Sequence, residues 1–199
     1  FEKEFCSYIG VPNAVAFNSG TAALHAAIRL ANLPIGSRIL TTPLTFVSTN
    51  HVILYEGMIP VFADIDLTTG NMDLGSIRKL CRTEPRPRAI MAVHYGGHPI
   101  NLDFLYDIAK EYKLLVIEDC AHACGASFGR ENIGRALYAS CFSFHAVKNL
   151  AIGDGGMLTT LDDELAEKAR RFRWLGIDKS TLDRNKEGYS WKYNVEMLG

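Results

Sequence analysis

Short apolar runs alternate with segments of helical periodicity along almost the whole chain. Nearly continuous apolar runs are typical of parallel strands that are buried on both faces. The alternation of strands and helices predicts an α/β fold, with a mostly parallel sheet between helices on both faces in a three-layer α/β/α arrangement. The predicted strands are 14–17, 38–42, 60–65, 88–94, 114–119, 140–144 and 156–160. The predicted helices lie near 20–32, 46–56, 74–82, 102–112 and 162–174.

Composition and charge narrow the class of protein. Of the 199 residues 48% are hydrophobic, so the chain can bury the core of one large domain. A net charge of −1 gives no basic surface that would attract nucleic acid or an anionic membrane, and no apolar run approaches the ~20 residues that span a bilayer. We expect the chain to be part of a longer protein, because Phe1 begins inside a helical pattern. The polar segment 178–199 is expected to be an exposed, mobile loop.

The cysteines predict reduced thiols in a cytoplasmic protein. Their number is odd and their neighbours are apolar, which does not favour a disulfide framework. Cys120 and Cys124 flank His122, but a single C-x-H-x-C without a second pair of ligands is a weak metal motif. We therefore expect no metal ion. The cysteines stand at positions 6, 81, 120, 124 and 141.

Polar and glycine-rich residues follow several of the predicted strands. In an open parallel sheet, ligands bind beyond the carboxyl ends of the strands. The "NSGT" of 18–21 leads from a strand into a helix, where backbone N–H groups favour a phosphate, although an ordinary Ser or Thr helix cap would read the same way. Asp119 ends "LLVIED" and could be the partner of a buried cation or a simple turn cap.

One lysine stands out in the stretch "CFSFHAVKNLAIGDGGMLTT" of 141–160. Lys148 is the only Lys or Arg there. An amine in apolar surroundings becomes a neutral nucleophile because burial lowers its pKa, whereas a lysine that extends its head into water does not. A phosphate site, a carboxylate and such a lysine together are the parts that hold pyridoxal phosphate. Phe46, between a strand and a helix, could offer an aromatic face to the pyridine ring of that cofactor.

The combined pattern resembles the DegT family of sugar aminotransferases, which are fold type I pyridoxal-phosphate enzymes. The matching stretches are "FNSGTAALHAAI", "TTPLTFVSTNHVILYEGMIPVFADID", "AVHYGGHPINLDFLYDIAKEYKLLVIEDCAHACGASF" and "CFSFHAVKNLAIGDGGMLTT". The resemblance covers essentially all of 1–199. It implies that these residues form the pyridoxal-phosphate-binding large domain, with a small C-terminal domain outside this chain.

The resemblance also implies which residues hold the phosphate and the ring of the cofactor. Gly20 and Thr21 would bind the phosphate through backbone and hydroxyl, and Ser143 would add a further contact. Phe46 would stack on the pyridine ring. Fold type I active sites lie at a dimer interface, so a homodimer with shared active sites is expected.

The remaining roles concern the chemistry. By the resemblance, Asp119 would pair with the pyridine nitrogen, His122 would lie near the ring hydroxyl, and Lys148 would be the Schiff-base lysine. Family members with His in place of this lysine are dehydratases, so Lys148 indicates amino transfer. Glutamate would be the amino donor, pyridoxamine phosphate the intermediate form of the cofactor, and a nucleotide-linked keto-sugar the acceptor. His122 favours amination at C4.

Alternative functions stay open at this point. The chain could act on a non-nucleotide ketone, such as a cyclitol or the precursor of an aminated aromatic acid, with the same cofactor. It could also bind the cofactor as a regulator without turnover. An unrelated nucleotide-binding α/β domain is not favoured, because no G-x-G-x-x-G turn follows the first predicted strand.

Overall fold

The computed structural model of the protein describes residues 1–178 and 193–199, and the elements below are those of the described residues. The helices are α1 (Glu2–Ile9), α2 (Gly20–Leu30), α3 (Ser48–Tyr55), α4 (Leu74–Thr83), α5 (Leu102–Tyr112) and α6 (Asp163–Arg173). The strands are β1 (Asn13–Phe17), β2 (Arg38–Thr41), β3 (Ile59–Phe62), β4 (Pro87–Val93), β5 (Leu115–Asp119), β6 (Ser127–Phe128), β7 (Glu131–Asn132), β8 (Ala139–Ser143) and β9 (Gly156–Thr160).

Seven of the strands form one mostly parallel sheet. Their order is β1-β9-β8-β5-β4-β2-β3. The pairs from β8 to β3 are parallel, whereas β9 runs antiparallel to both β1 and β8. The two short strands β6 and β7 form a separate antiparallel hairpin. The sheet therefore brings the ends of β5 and β8 side by side, and the helix that follows β1 begins near them.

The core has one apolar layer on each face of the sheet. Successive residues of a strand point to opposite faces, so Ile117 packs with α2 and α6 while Val116 packs with α4 and α5. A third cluster joins α1 to the ends of β8 and β9, around Phe5, Phe142 and Phe144. Since both faces are covered by helices, the sheet is the middle of three layers.

The predicted architecture is confirmed. Each predicted strand and helix is present, with ends that differ by up to three residues. The sequence pattern missed the β6–β7 hairpin and a 3-10 turn at Tyr95–Gly97, because runs of two or three residues show no measurable periodicity. The loop predicted at 178–199 falls mostly on 179–192, which lies outside the described residues. Within the described ranges, no helix is long and apolar enough to cross a membrane.

The start of α2 is held against the sheet by a backbone contact at a glycine. A Cβ placed on Gly156, the first residue of β9, would lie 2.2 Å from the Ser19 carbonyl oxygen and 2.7 Å from the Gly20 nitrogen. These neighbours are backbone atoms, which cannot rotate away as a side chain can. Only glycine therefore permits α2 to begin where it does.

This contact makes Gly156→Ala strongly destabilising. We expect the free energy of unfolding to fall by about 1–3 kcal/mol, the usual cost of forcing a methyl group into a filled core. Urea unfolding measures the change. Gly75→Ala is the matched control, because its Cβ would meet only the side-chain oxygen of Asp73, at 3.2 Å, within the first turn of α4. Equal stability of the two variants would show that the start of α2 is not fixed by this contact.

Candidate active site

The N-terminus of α2 forms a donor-rich corner beyond the end of β1. The Ser19 hydroxyl accepts the N–H of Ala22 at 3.0 Å, so this serine is indeed a helix cap. The first backbone N–H groups of an α-helix have no partner within the helix. Gly20 is buried and Thr21 is partly buried at this end. The corner can therefore donate N–H and hydroxyl groups to an anion, with the helix dipole adding to the attraction.

Ser143 at the end of β8 adjoins this corner. A Cβ on Gly20 would lie 2.8 Å from the Ser143 Cβ, so the helix start and the strand end touch because position 20 has no side chain. The Ser143 oxygen accepts the N–H of His145 at 3.4 Å, which leaves the hydroxyl hydrogen for another acceptor. The structure thus brings Gly20 and Ser143 together, with Thr21 next to Gly20 in the chain.

Asp119 is the last residue of β5 and is 4% exposed. Its Oδ1 accepts the N–H of Ala121 at 3.1 Å, and its Oδ2 accepts the Thr49 hydroxyl at 2.7 Å. A buried carboxylate is costly unless hydrogen bonds or a cation compensate its charge. Each oxygen keeps a second lone pair, so the group can also accept from a cationic ring N–H.

Phe46 lies just before α3, and its ring is 69% exposed. The N–H of Thr49 donates to the Phe46 carbonyl at 3.1 Å, which ties the phenylalanine to the first turn of the helix. The side chain of Thr49 reaches Asp119, so Phe46 and Asp119 are joined through one residue. An uncovered aromatic ring in a segment tied to the carboxylate suits a flat heterocycle.

Lys148 lies at the tip of the loop that joins β8 to β9. Its N–H donates to the His145 carbonyl at 2.8 Å, and the side-chain amide of Asn149 donates to the Cys124 carbonyl. The lysine is partly buried, but Val147 beside it is 79% exposed. Lys148 is thus more enclosed than its neighbours in the loop, which are exposed.

His122 lies within electrostatic range of both charged groups of the site. Partial burial lowers the pKa of its imidazole, the nearby Lys148 ammonium lowers it further, and the Asp119 carboxylate opposes both effects. The balance lies below the ordinary value. The turn at Tyr95–Gly97 packs closely on this segment, because a Cβ on Gly97 would lie 2.6 Å from the His122 carbonyl oxygen. His122, Lys148 and Asp119 therefore belong to one electrostatic neighbourhood.

Glu118, on the other face of β5, belongs to a buried network of polar side chains. Its oxygens accept hydrogen bonds from Tyr106 and Ser140 and lie 3.5 Å from Nε2 of His94, with all of these side chains on the side away from Asp119. Burial alone would raise the pKa of Glu118, but these hydrogen bonds and His94 outweigh burial and hold it below the usual range. Glu118 therefore serves a buried network of the core.

Among the described residues, one group of possible metal ligands has its ligand atoms close together, and it consists of His94, Glu118 and Cys120. Of the C-x-H-x-C motif considered in the sequence, this group contains Cys120 alone. The Cys120 thiol is fully buried and His122 is exposed, so the motif does not converge on one point. Burial raises the pKa of the Cys120 thiol well above its usual value, which keeps it protonated. A protonated thiol is a poor metal ligand.

The donor set of the site fits a phosphorylated pyridine. The corner at α2 and Ser143 accepts an anion, Asp119 accepts a cationic ring N–H, Phe46 offers a flat face, and Lys148 offers an amine. The absence of a side chain on Gly20 keeps the helix N–H groups next to Ser143. Pyridoxal phosphate carries all the complementary groups.

Comparison with known proteins agrees with this description. The chain belongs to the DegT/DnrJ/EryC1/StrS aminotransferase family, whose model matches residues 1–198. It is 43% identical over its full length to the spore coat polysaccharide biosynthesis protein SpsC of Bacillus subtilis, of which it covers 51%. It is 37% identical over 98% of its length to the UDP-4-amino-4-deoxy-L-arabinose–oxoglutarate aminotransferase of Shewanella sediminis, of which it covers 52%.

A solved structure shows the same fold. PseC of Helicobacter pylori, an aminotransferase involved in the biosynthesis of pseudoaminic acid, superposes with a TM-score of 0.89 at 34% identity. The match covers 100% of this chain and 51% of PseC. The fold is thus that of the fold type I aminotransferases. The chain spans about half the length of the relatives that it matches.

Sequence reasoning missed three residues that organise the site. Thr49 binds Asp119, Asn149 ties the lysine loop to the Cys124 carbonyl, and Gly97 packs on His122. The spacing of Thr45 and Thr49, one helical turn apart, was a weak signal for the first. The other two act through tertiary contacts that leave no trace in a local pattern.

The electrostatic link between His122 and Lys148 predicts a titration effect. In the cofactor-free protein, Lys148→Ala should raise the pKa of His122, because one of the charges that disfavour the imidazolium is gone. The imidazole then takes up its proton at a higher pH than in the wild type. NMR titration of the ring protons measures this. Lys110→Ala, on the exposed face of α5, should leave the titration unchanged, and an unchanged or lower pKa in Lys148→Ala would contradict the link.

Proposed function

We propose that the protein is a pyridoxal-phosphate-dependent aminotransferase that transfers an amino group from glutamate to a nucleotide-linked keto-sugar. The observation that carries the proposal is that Asp119 ends β5 beside β8, whose end at Ser143 touches the start of α2. Lys148 and Asp119 also both act electrostatically on His122. The family match supports the cofactor. Residues 1–199 would then be the large domain, with a small C-terminal domain in the whole protein.

The residues of this chain have distinct parts in such a reaction. The cofactor, when bound, supplies a carbon that carries the amino group and a ring that accepts electrons from the bond being broken. Lys148 would hold that carbon through Nζ and, once released, carry a proton between the carbons of substrate and cofactor. Asp119 would keep the ring nitrogen protonated. Gly20, Thr21 and Ser143 would bind the phosphate, and Phe46 and His122 would flank the ring.

The names of the relatives support the substrate class. One is an oxoglutarate-linked aminotransferase of a 4-amino sugar attached to UDP, and another takes part in polysaccharide biosynthesis. Oxoglutarate is the keto form of glutamate, so a glutamate donor is consistent. We propose amination at C4 in a pathway of amino-sugar or polysaccharide biosynthesis. The five free cysteines suit a reducing compartment, and we propose the cytoplasm.

The lysine assignment has a direct chemical test. Borohydride converts a lysine–cofactor linkage into a stable amine, and peptide mapping then locates the modified residue. We expect the label on Lys148, with loss of both label and amino transfer in Lys148→Ala. Lys113→Ala, at the exposed end of α5, should retain both. A label on any other lysine would overturn the assignment, and labelled protein that transfers no amino group from glutamate would favour a regulator.

A second subunit is the natural cover for the exposed apolar side chains around the site. Phe46, Val47, Val147 and Ile152 are between 49% and 79% exposed and belong to the two segments that flank the cofactor site. Apolar groups clustered in this way mark an interaction surface. We propose that the protein is a homodimer in which each subunit covers the other's site.

Sedimentation velocity tests the dimer. Val147→Asp should shift the protein toward monomer and weaken cofactor binding, because a charge would be buried in the contact. Ile35→Asp is the control, since this residue is 86% exposed but lies in the loop between α2 and β2, at the opposite end of the sheet. A dimer that survives Val147→Asp, or a monomeric wild type with full activity, would contradict the proposal.

A further inference from the structure

A chain of hydroxyl groups ends on the carboxylate of Asp119. The Thr49 hydroxyl lies 2.7 Å from Asp119 Oδ2, and the Thr45 hydroxyl lies 2.8 Å from that of Thr49. Thr49 is completely buried and Asp119 is 4% exposed, so water does not compete for the bond between them. Thr45, at the other end of the hydroxyl chain, is partly buried.

The direction of the hydrogen bonds follows from chemistry. An ionised carboxylate only accepts, so the single hydrogen of the Thr49 hydroxyl points at Asp119. The Thr49 oxygen can then only accept from Thr45, whose hydroxyl is the donor. Bonds that run in one direction polarise each other, which strengthens the last one. Both hydroxyl groups therefore act on the carboxylate.

The same contacts fix how the carboxylate is turned. Oδ2 is held by Thr49 and Oδ1 by the N–H of Ala121. Rotation of the group about its Cβ–Cγ bond would break both bonds at once. The Thr49 hydroxyl and the Ala121 N–H therefore together fix the direction of the lone pairs that remain free on Asp119.

Thr49 also fixes the segment that carries Phe46. Its backbone N–H donates to the Phe46 carbonyl, while its hydroxyl donates to Asp119. Phe46 and Asp119 come from distant parts of the chain, and Thr49 hydrogen-bonds the backbone carbonyl of the first and the carboxylate of the second. A pyridine ring would need the two at a fixed mutual position, since one touches its face and the other its nitrogen.

We propose that Thr49 is a positioning residue that aligns the Asp119 carboxylate with Phe46 for the ring nitrogen of the cofactor. The inference rests on the proposed function, because it assumes a pyridine cofactor at this site. The effect of Thr49 on cofactor binding then passes through Asp119. When the carboxylate is absent, the hydroxyl has nothing to position.

A double-mutant cycle tests this dependence. The variants are Thr49→Val, Asp119→Ala and the pair together, and the readout is the dissociation constant of pyridoxamine 5'-phosphate from calorimetry. The hydrogen bond from a cationic ring nitrogen to the Asp119 carboxylate is worth about 1.5–3 kcal/mol, so its complete loss weakens binding about 10- to 100-fold. Thr49→Val, which leaves the carboxylate misaligned, should weaken binding by up to that amount. In the Asp119→Ala background the same change should have little further effect. Thr49→Ser, which keeps the hydroxyl, should restore most of the affinity.

The controls separate positioning from stability. Thr160→Val removes another buried hydroxyl, one that donates to the Tyr138 carbonyl at 2.7 Å, and should lower the melting temperature without changing the affinity. If Thr49→Val does not fold, Thr45→Val carries the test, because it leaves the bond between Thr49 and Asp119 in place. Loss of the upstream donor should then weaken binding about twofold.

The outcomes distinguish a failure of the positioning role of Thr49 from a failure of the proposed cofactor dependence. Additive effects of Thr49→Val and Asp119→Ala, or unchanged affinity in Thr49→Val and in Thr45→Val, would overturn the positioning role while Lys148 still carries the borohydride label. Wild-type protein that neither binds pyridoxamine 5'-phosphate nor takes the label would instead overturn the proposed function, and the inference with it.

Discussion

The end of β5 sets the main constraint on this structure, because two successive carboxylates are buried there. Glu118 and Asp119 point to opposite faces of the sheet and are 0% and 4% exposed. Burying an ionised carboxylate is unfavourable unless donors compensate it, so each face must supply its own set. The donors to Glu118 come from the residue after β4, from α5 and from β8. The donors to Asp119 come from α3 and from the turn after β5. The placement of four elements around β5 thus serves to compensate two charges.

The two faces use this requirement differently. Glu118 is surrounded by side chains of the protein core, which compensate its charge. Asp119 has one donor on each oxygen, and its carboxylate lies within electrostatic range of His122. Such a carboxylate is stable enough to exist before any ligand arrives and still has capacity for a cation. The same residue type is structural on one face and available for binding on the other.

The sheet and the charged residues of the site could be predicted from the sequence, because their signals are local. Buried parallel strands give continuous apolar runs, and Asp119 and Lys148 follow strands that end at the ligand-binding edge. The roles of Thr49 and Asn149 could not be predicted, because each hydrogen-bonds a residue that is distant in the sequence.

The position of β9 has a consequence for how the protein is made. In the described sheet β1 borders β9 alone, with Asn13 opposite Thr160, and Gly156 seats the helix that follows β1. A growing chain therefore releases its first strand long before that strand has a partner. Until residues near 160 leave the ribosome, the apolar strand β1 has no partner strand. The start of α2 then also lacks Gly156, against which it packs. The start of α2 therefore reaches its final position only after β9 has been made.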